Sequence, residues 1–514
     1  MAIEEPHLLP GPKLDSKKSP SESDGELVIG LVGAVGTELK RVEDVLEERL
    51  GIAGYDVVHI RISRKIIPLI VKPRDEAPAN EYDRISWAMD DGDTAREKSG
   101  DNSILALGAA SLISSKRDKD PNGSPKLARR RAYIIHSLKH QEEVYRLREI
   151  YPLGFYLIGV HSDKDRRIKF LKEEKQMLAR EAKALIARDE REDKRFGQHL
   201  TDTFHLSDFF VLIDDNQDRL KYSVWRFVEV LFGDPYKTPT FDEYAMFLAF
   251  ATSLRSADLA RQVGAVIARQ NEILSTGAND CPRFDGGLYW PEYSKQTKQI
   301  GDSPRGRDYK RKKDSNKDEQ QEIINDIVRL GSESGLDRKA LRNILERSRI
   351  KELTEFGRAV HAEMEALLAC ARNRVMSRAA TLYCTTFPCH NCAKHIIAAG
   401  IHRVVYIEPY EKSKAEKLHG EALSVGFPTA STRKVRFEPF VGFGPRRFLD
   451  FFSMRLGSGE FLTRKNEKDR TISWDLNKSR LRVQMLSSSY LDLELKASRL
   501  FNQARQKESG TNAI

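Results

Sequence analysis

The 514-residue chain has only five cysteines: Cys281, Cys370, Cys384, Cys389 and Cys392. So odd and sparse a set builds no disulfide framework; it suits a reducing compartment and leaves the thiols for other chemistry. Long apolar runs are also missing. No stretch reaches 18 apolar residues, which argues against a membrane span. Residues 1–25 are polar and rich in Pro and Ser, without the apolar centre of a signal peptide, and read as a disordered lead. The cytoplasm is therefore the expected location. Internal repeats are absent. Charge is plentiful: 86 Lys and Arg against 76 Asp and Glu give a net +10. That excess suits a polyanionic partner such as a nucleotide, RNA or DNA, and equally a merely soluble surface.

Strand and helix signals alternate over 26–235. Residues 26–33 (ELVIGLVG) form an apolar run ending in glycine, the pattern of a buried strand meeting a turn. A helix follows over 37–50, with Leu39, Val42, Val45, Leu46 and Leu50 on one side. Further strands are expected at 55–62, 132–136, 155–160 and 209–213, and helices at 101–113, 140–150 and 165–192. Such alternation predicts a parallel, doubly wound α/β domain. Residues 233–240 (GDPYKTPT) read as a linker. Beyond it come a helix (242–256) and two short strands (263–268 and 272–277). The Lys/Arg-rich stretch 293–320 is too poor in apolar side chains to fold alone and reads as a mobile loop. Helices near 320–331 and 337–349 lead into a second α/β succession: helix 358–374, strand 380–384, helix 390–399, strand 403–407, helix 412–425 and strand 433–438. Residues 441–514 form a C-terminal extension.

Two short motifs in this second half carry chemistry. His361-Ala-Glu363 opens one helix, and Pro388-Cys389-His390-Asn391-Cys392 opens another. One imidazole and two thiolates fill three corners of a tetrahedral zinc site and leave the fourth for water. Cysteines at i and i+3 share one face of a first helical turn, where free N–H groups and the helix dipole favour thiolate. Zinc bound there draws the pKa of water from about 15.7 towards 7. Glu363 can then carry protons without occupying the metal. This H-x-E…P-C-x-x-C pattern is the signature of zinc nucleobase deaminases. The bland alternative is a closed structural zinc site, with His390, His395 or Cys384 as fourth ligand. Cys281, Cys370 and Cys384 read as core thiols, and His390 and His395 as helix-surface or supporting groups.

The segments HAEMEAL (361–367) and TTFPCHNCAKHIIAAGIHRVVY (385–406) resemble the cytidine/deoxycytidylate deaminase superfamily, their AGIxRVVY ending its deoxycytidylate branch. RSADLARQVGAVI (255–267) is similar to that branch's first helix and strand. The resemblance implies a cytidine-deaminase-like α/β/α domain over 240–440, Zn2+ as cofactor, and Asn279 as the holder of a sugar 3′-hydroxyl. It also exposes a departure: loop and helices at about 285–356 are inserted between the Asn279 strand and the H-x-E helix, where they shape the pocket mouth.

In the N-terminal domain, Gly30, Gly33, Gly36 and Thr37 leave a strand and enter a helix, as a phosphate-binding loop does. The succession over 26–235 resembles a P-loop nucleoside-kinase fold, yet Val35-Gly36-Thr37 stands where a working loop has Gly-Lys-Thr. Without that lysine, phosphoryl transfer is not expected. A regulatory nucleotide or a purely structural role remains.

The fusion of the two domains, with EPYxKS at 408–413 and FGPRR at 443–447, resembles bacterial anti-phage deoxycytidine-nucleotide deaminases. That resemblance implies hydrolysis of dCTP, dCMP or both, depleting the pool phage replication needs. It also implies Arg446 and Arg447 as phosphate contacts, and a homo-oligomer restrained by a nucleotide or small RNA. Two readings compete: a deaminase that flips a base out of RNA or single-stranded DNA, and a non-catalytic nucleotide or RNA sensor.

Overall fold

Two six-stranded sheets carry the fold of the computed structural model, which describes residues 25–123, 125–190, 200–410, 413–427, 433–485 and 487–509. Of the expected disordered lead, all but Gly25 lies outside the described residues. The first sheet contains β1 (Leu27–Gly33), β2 (Asp56–Arg61), β3 (Arg131–His136), β4 (Phe155–His161) and β5 (Phe209–Leu212). All five are parallel, in the order β2-β3-β1-β4-β5. Central parallel strands covered on both faces read as unbroken apolar runs, and β1 (LVIGLVG) is buried at every position. Its alternate residues feed two cores, one around Leu27, Ile29 and Leu31 and the other around Val28 and Val32.

The second half supplies β6 (Gly264–Arg269), β7 (Glu272–Ala278), a hairpin of β8 (Glu292–Ser294) and β9 (Gln299–Gly301), then β10 (Thr381–Thr386), β11 (Arg403–Glu408), β12 (Leu423–Val425) and β13 (Val435–Pro439). The second sheet runs β12-β13-β11-β10-β6-β7. β6 pairs antiparallel with both β7 and β10, and β10, β11, β13 and β12 are mutually parallel. Helices Phe241–Ser253 and Ala362–Arg372 pack on opposite faces of it. Among the described residues, no helix is long and apolar enough to cross a membrane.

Several elements differ from the sequence expectation. The helix expected over 165–192 is two, Lys164–Glu173 and Ala179–Glu190, with Gln176 between them at φ 55°. The helix Glu81–Ser99 was not foreseen, because its apolar side chains form no clear stripe; it is bounded instead by the Asn80 side chain and a left-handed Gly100. Around 412–425 the helix spans only Ala415–His419, and 423–425 is β12.

The basic stretch 293–320 is not a structureless loop. It holds β9, the short helix Asp308–Arg311 and the start of the helix Ser315–Glu333. Internal charge pairing does what apolar burial could not. Arg307, 5% exposed, meets Asp280 at 3.1 Å and Asp302 at 3.2 Å and donates to the Tyr289 carbonyl at 2.7 Å. Arg358 likewise holds Asp308 and the Gly306 carbonyl.

The residues after 440 return to the first sheet. β14 (Gly442–Phe443) pairs antiparallel with β5. The helix Ser487–Ser509 is pinned by Glu494, whose carboxylate accepts Arg117 at 2.6 and 2.7 Å, while Arg117 also reaches Glu26 at 2.7 Å.

Candidate metal centre

The site is assembled where β7, β10 and two helix N-termini meet. Just past β7, Asp280 and Val360 exchange backbone hydrogen bonds of 3.3 and 2.9 Å, which fixes the chain one residue before His361. His361 is the N-cap of the helix Ala362–Arg372, and Glu363 lies in its first turn. The closeness of β7 to that helix depends on Gly277. A Cβ there would stand 2.2 Å from the Ala362 carbonyl oxygen and 2.5 Å from the Ala366 nitrogen. On the other side, β10 leads through Pro388 to Cys389, the N-cap of the helix His390–Ala398, whose sulfur accepts from the Cys392 N–H at 3.4 Å.

His361 Nδ1 lies 3.4 Å from the sulfurs of both Cys389 and Cys392. A tetrahedral zinc with Zn–S of about 2.3 Å and Zn–N of about 2.0 Å has N···S edges of about 3.5 Å. The spacing and the donor set both suit zinc. Among the described residues these three form the group able to hold a metal, their ligand atoms all within 4.8 Å of one another. Cys384 is not part of it. It is fully buried in β10, and burial pushes its thiol far above the usual range. Cys281 and Cys370 are core residues as well.

The electrostatics of the cluster favour a cation. Hydrogen bonding from Cys392, then from His361, pulls the Cys389 thiol down to about 4. The bond to Cys389 raises His361 to about 9. Cys392 moves up, first because it donates to Cys389. Glu363, 4% exposed, is pushed up by burial.

A cavity of about 310 Å³ opens onto His361, Glu363 and Cys389. Asn279 lines it and is oriented without ambiguity: Oδ1 accepts from the Val263 N–H at 2.7 Å and Nδ2 donates to the Arg261 carbonyl at 2.9 Å. One Nδ2 hydrogen and one Oδ1 lone pair remain for a ligand. The inserted region supplies Asp308, Asp314 and Asn316 to the cavity lining, and Arg358 follows just after it. The carboxylates there are engaged within the protein. Asp314 caps a helix, Asp308 pairs with Arg358, and Asp258 accepts from the Ala260 and Arg261 N–H groups. The Arg261 side chain is 48% exposed and 3.6 Å from Glu408, and the Lys414 side chain makes no hydrogen bond or ion pair among the described residues. Arg261, Lys414 and Tyr410 were not singled out from the sequence; Arg261 lies inside the quoted RSADLARQVGAVI segment, but nothing in one sequence marks it as facing a pocket.

Other expected site residues lie elsewhere. Arg446 and Arg447 do not reach this cavity, so they are not phosphate contacts of it. Arg447 is spent on Asp450 at 3.0 Å and on the Leu153 and Phe155 carbonyls, with its guanidinium 4.3 Å above the Tyr156 ring. Arg446 stands near Arg148, on the helix Gln141–Ile150, and Asp208, just before β5. Gly30 is no loop residue: it sits inside β1, where a Cβ would meet Leu138 at 2.6 Å. Gly33, Gly36 and Thr37 line a different cavity, at the end of β1.

Residues 239–408 match the profile described as the cytidine and deoxycytidylate deaminase zinc-binding region. The deoxycytidylate deaminase of Enterobacteria phage T4 is 30% identical over 169 residues, 32% of this chain and 77% of that protein. The deoxycytidylate deaminase of Saccharomyces cerevisiae is 30% identical over 181 residues, 34% of this chain and 40% of that protein. A crystal structure of the dCMP deaminase of cyanophage S-TIM5 with dCMP and dUMP aligns over 40% of this chain and 100% of its own, at 17% identity and a TM-score of 0.22.

Proposed function

The chain belongs to the zinc-binding cytidine and deoxycytidylate deaminase family and is a zinc-dependent deaminase, and from that premise we propose that it hydrolyses deoxycytidine nucleotides, dCMP and dCTP, to dUMP and dUTP. The observation that carries this reading is the buried Glu363 beside the His361, Cys389 and Cys392 donor triad, at the floor of a cavity sized for a nucleoside.

His361, Cys389 and Cys392 would hold zinc, which when bound would supply the Lewis acidity that makes water nucleophilic near neutral pH. Glu363 takes a proton from the attacking water and passes it to N3 of the cytosine ring, then moves the second proton to the departing amine. Overall the C4–NH2 bond is exchanged for C4=O, water is consumed and ammonia leaves. Burial keeps the Glu363 carboxyl away from bulk water and raises its proton affinity, which suits a group that must both accept and donate. Asn279, already locked by Val263 and Arg261, offers its remaining donor and acceptor to the sugar hydroxyl. Arg261 and Lys414 face the phosphate end, enough to match the two charges of a monophosphate. A triphosphate would bring its divalent cation to balance the rest.

Residues of the inserted region, Asp308, Asp314, Asn316 and Glu352, line the cavity and add negative charge to it, which favours a free nucleotide over a polynucleotide strand. Drawing down deoxycytidine nucleotides would starve phage DNA synthesis, and the resemblance of the fused chain to anti-phage deaminases supports that role. Ammonia release from deoxycytidine, dCMP, dCTP, CTP and a cytosine-rich oligonucleotide tests the reading. Turnover of dCMP or dCTP above the others is expected. A preference for deoxycytidine, CTP or the oligonucleotide would overturn it.

A further inference from the structure

A second pair of cavities, unconnected with the metal centre, opens at the carboxyl ends of β1, β2 and β3. In a doubly wound sheet, ligands bind where the strand order reverses. Here the chain leaves β1 towards β2 on one side and leaves β3 towards β4 on the other, so the crevice lies between β1 and β3. One cavity, about 360 Å³, has an apolar wall that includes Ile85, Met89 and Phe170. Its neighbour, about 310 Å³, shares Arg61, Arg84, His136 and Lys175 with it and adds Arg64. That second cavity sets four cationic side chains against two carboxylates, Glu81 and Glu174.

The glycine loop itself is already filled from within. The Val35 N–H donates to Asp189 Oδ2 at 2.6 Å, and Lys139 Nζ donates to Asp189 Oδ1 at 3.1 Å and to the Gly33 carbonyl at 3.0 Å. Asp189 is 3% exposed, on the helix Ala179–Glu190 that packs on Val35. A carboxylate thus holds the position at which a phosphate would meet such a loop. Two polar atoms of residues lining the larger cavity have no partner among the described residues: Thr37 Oγ1, and Nε of Arg96, a residue only 2% exposed. Buried polar atoms left unsatisfied in a protein are those a ligand or water completes.

We propose that these joined cavities form a second ligand site, for a phosphorylated small molecule of nucleotide size. Its phosphates meet Arg61, Arg64, Arg84 and Lys175 while its apolar part lies against Ile85, Met89 and Phe170, and the loop stays closed by Asp189. This assignment does not depend on the substrate of the metal centre.

Calorimetric titration of the full chain with ATP and with inorganic triphosphate tests it. Binding of both is expected, tighter for ATP because the apolar wall contributes. Arg84→Gln combined with Lys175→Gln should weaken each by about tenfold or more, the loss of charge-assisted hydrogen bonds, with deaminase turnover and melting temperature unchanged. Asp189→Asn should leave the ATP affinity within about threefold, since neutralising one charge at a contacted site is worth more than that. Absence of ATP binding at millimolar concentration, or ATP binding indifferent to the Arg84/Lys175 pair, would overturn the site. Tightening in Asp189→Asn would overturn the closed loop by putting the phosphate there. Should Asp189→Asn fail to fold, the Arg84/Lys175 variant decides alone.

Discussion

Replacing Glu363 with glutamine removes a carboxylate without changing its volume, so it separates chemistry from structure at one position. The side chain is 4% exposed and closely enclosed, so the amide will occupy the same space. A positioned acid/base contributes about 10²–10⁴ in rate, or about 3–5 kcal/mol in barrier, and the full range should be lost because no other described carboxylate shares the floor of the cavity. Zinc content should stay at one per chain, since the three donors are untouched. The stability consequence has a definite sign in metal-stripped protein. Burial raises the Glu363 carboxyl above its usual 4.5, so the folded chain holds the proton more tightly than the unfolded chain. Below that value both states are protonated and the two proteins should melt alike. As pH rises through it, the unfolded wild type gains by ionising, and its folded form loses ground that glutamine does not lose. The assay is paired: ammonia release with elemental analysis, and thermal melts across pH 4 to 7 of the stripped proteins. Turnover within about tenfold of wild type at full zinc would refute the proton-carrying role. Loss of zinc together with activity would refute the separation of Glu363 from the ligand set.

Cys392→Ala should lose zinc and melt earlier, because metal binding and folding are coupled; full metal content would remove Cys392 from the ligands. Gly277→Ala forces a Cβ to within 2.2 Å of the Ala362 carbonyl oxygen. It should destabilise by about 1–3 kcal/mol or cost about 10² in turnover by shifting His361 and Glu363, and unchanged values of both would show that β7 does not set their position. Arg447→Met should lower stability by about 1–3 kcal/mol, the cost of leaving the partly buried Asp450 and two carbonyls without their donor, while KM for dCMP stays constant. A raised KM at unchanged melting temperature would return Arg447 to the substrate.

The donor triad was legible in the chain because H-x-E and C-x-x-C are local patterns, each confined to one helix start. The central strands were legible too, since β1, β3 and β4 are continuous apolar runs. What escaped was set by long-range pairing. The Lys/Arg-rich 293–320 looked unable to fold until Asp280, Asp302 and Tyr289 were seen to enclose Arg307. Arg446 and Arg447 follow a glycine and proline like an exposed phosphate clamp, but the partners that use up Arg447 come from some 290 residues earlier. Asp189 carries no local mark at all; only its bonds to Val35 and Lys139, 154 and 50 residues away, give it meaning.

β13 and β14 are separated by two residues yet belong to different sheets. Phe443, fully buried, stacks among Phe209, Phe227 and Phe451, and its N–H donates to Glu243 at 2.9 Å, on the first helix of the other half. Gly442, at φ 122°, must be glycine, since a Cβ would strike that same carboxylate at 2.5 Å. A chain cut at the apparent linker near 235 would leave β5 paired with β4 alone, and one ended at 440 would empty the aromatic socket. The two halves read as modules, but they are spliced like two ropes sharing a strand: neither can be excised intact, and heat should undo them in one transition rather than two.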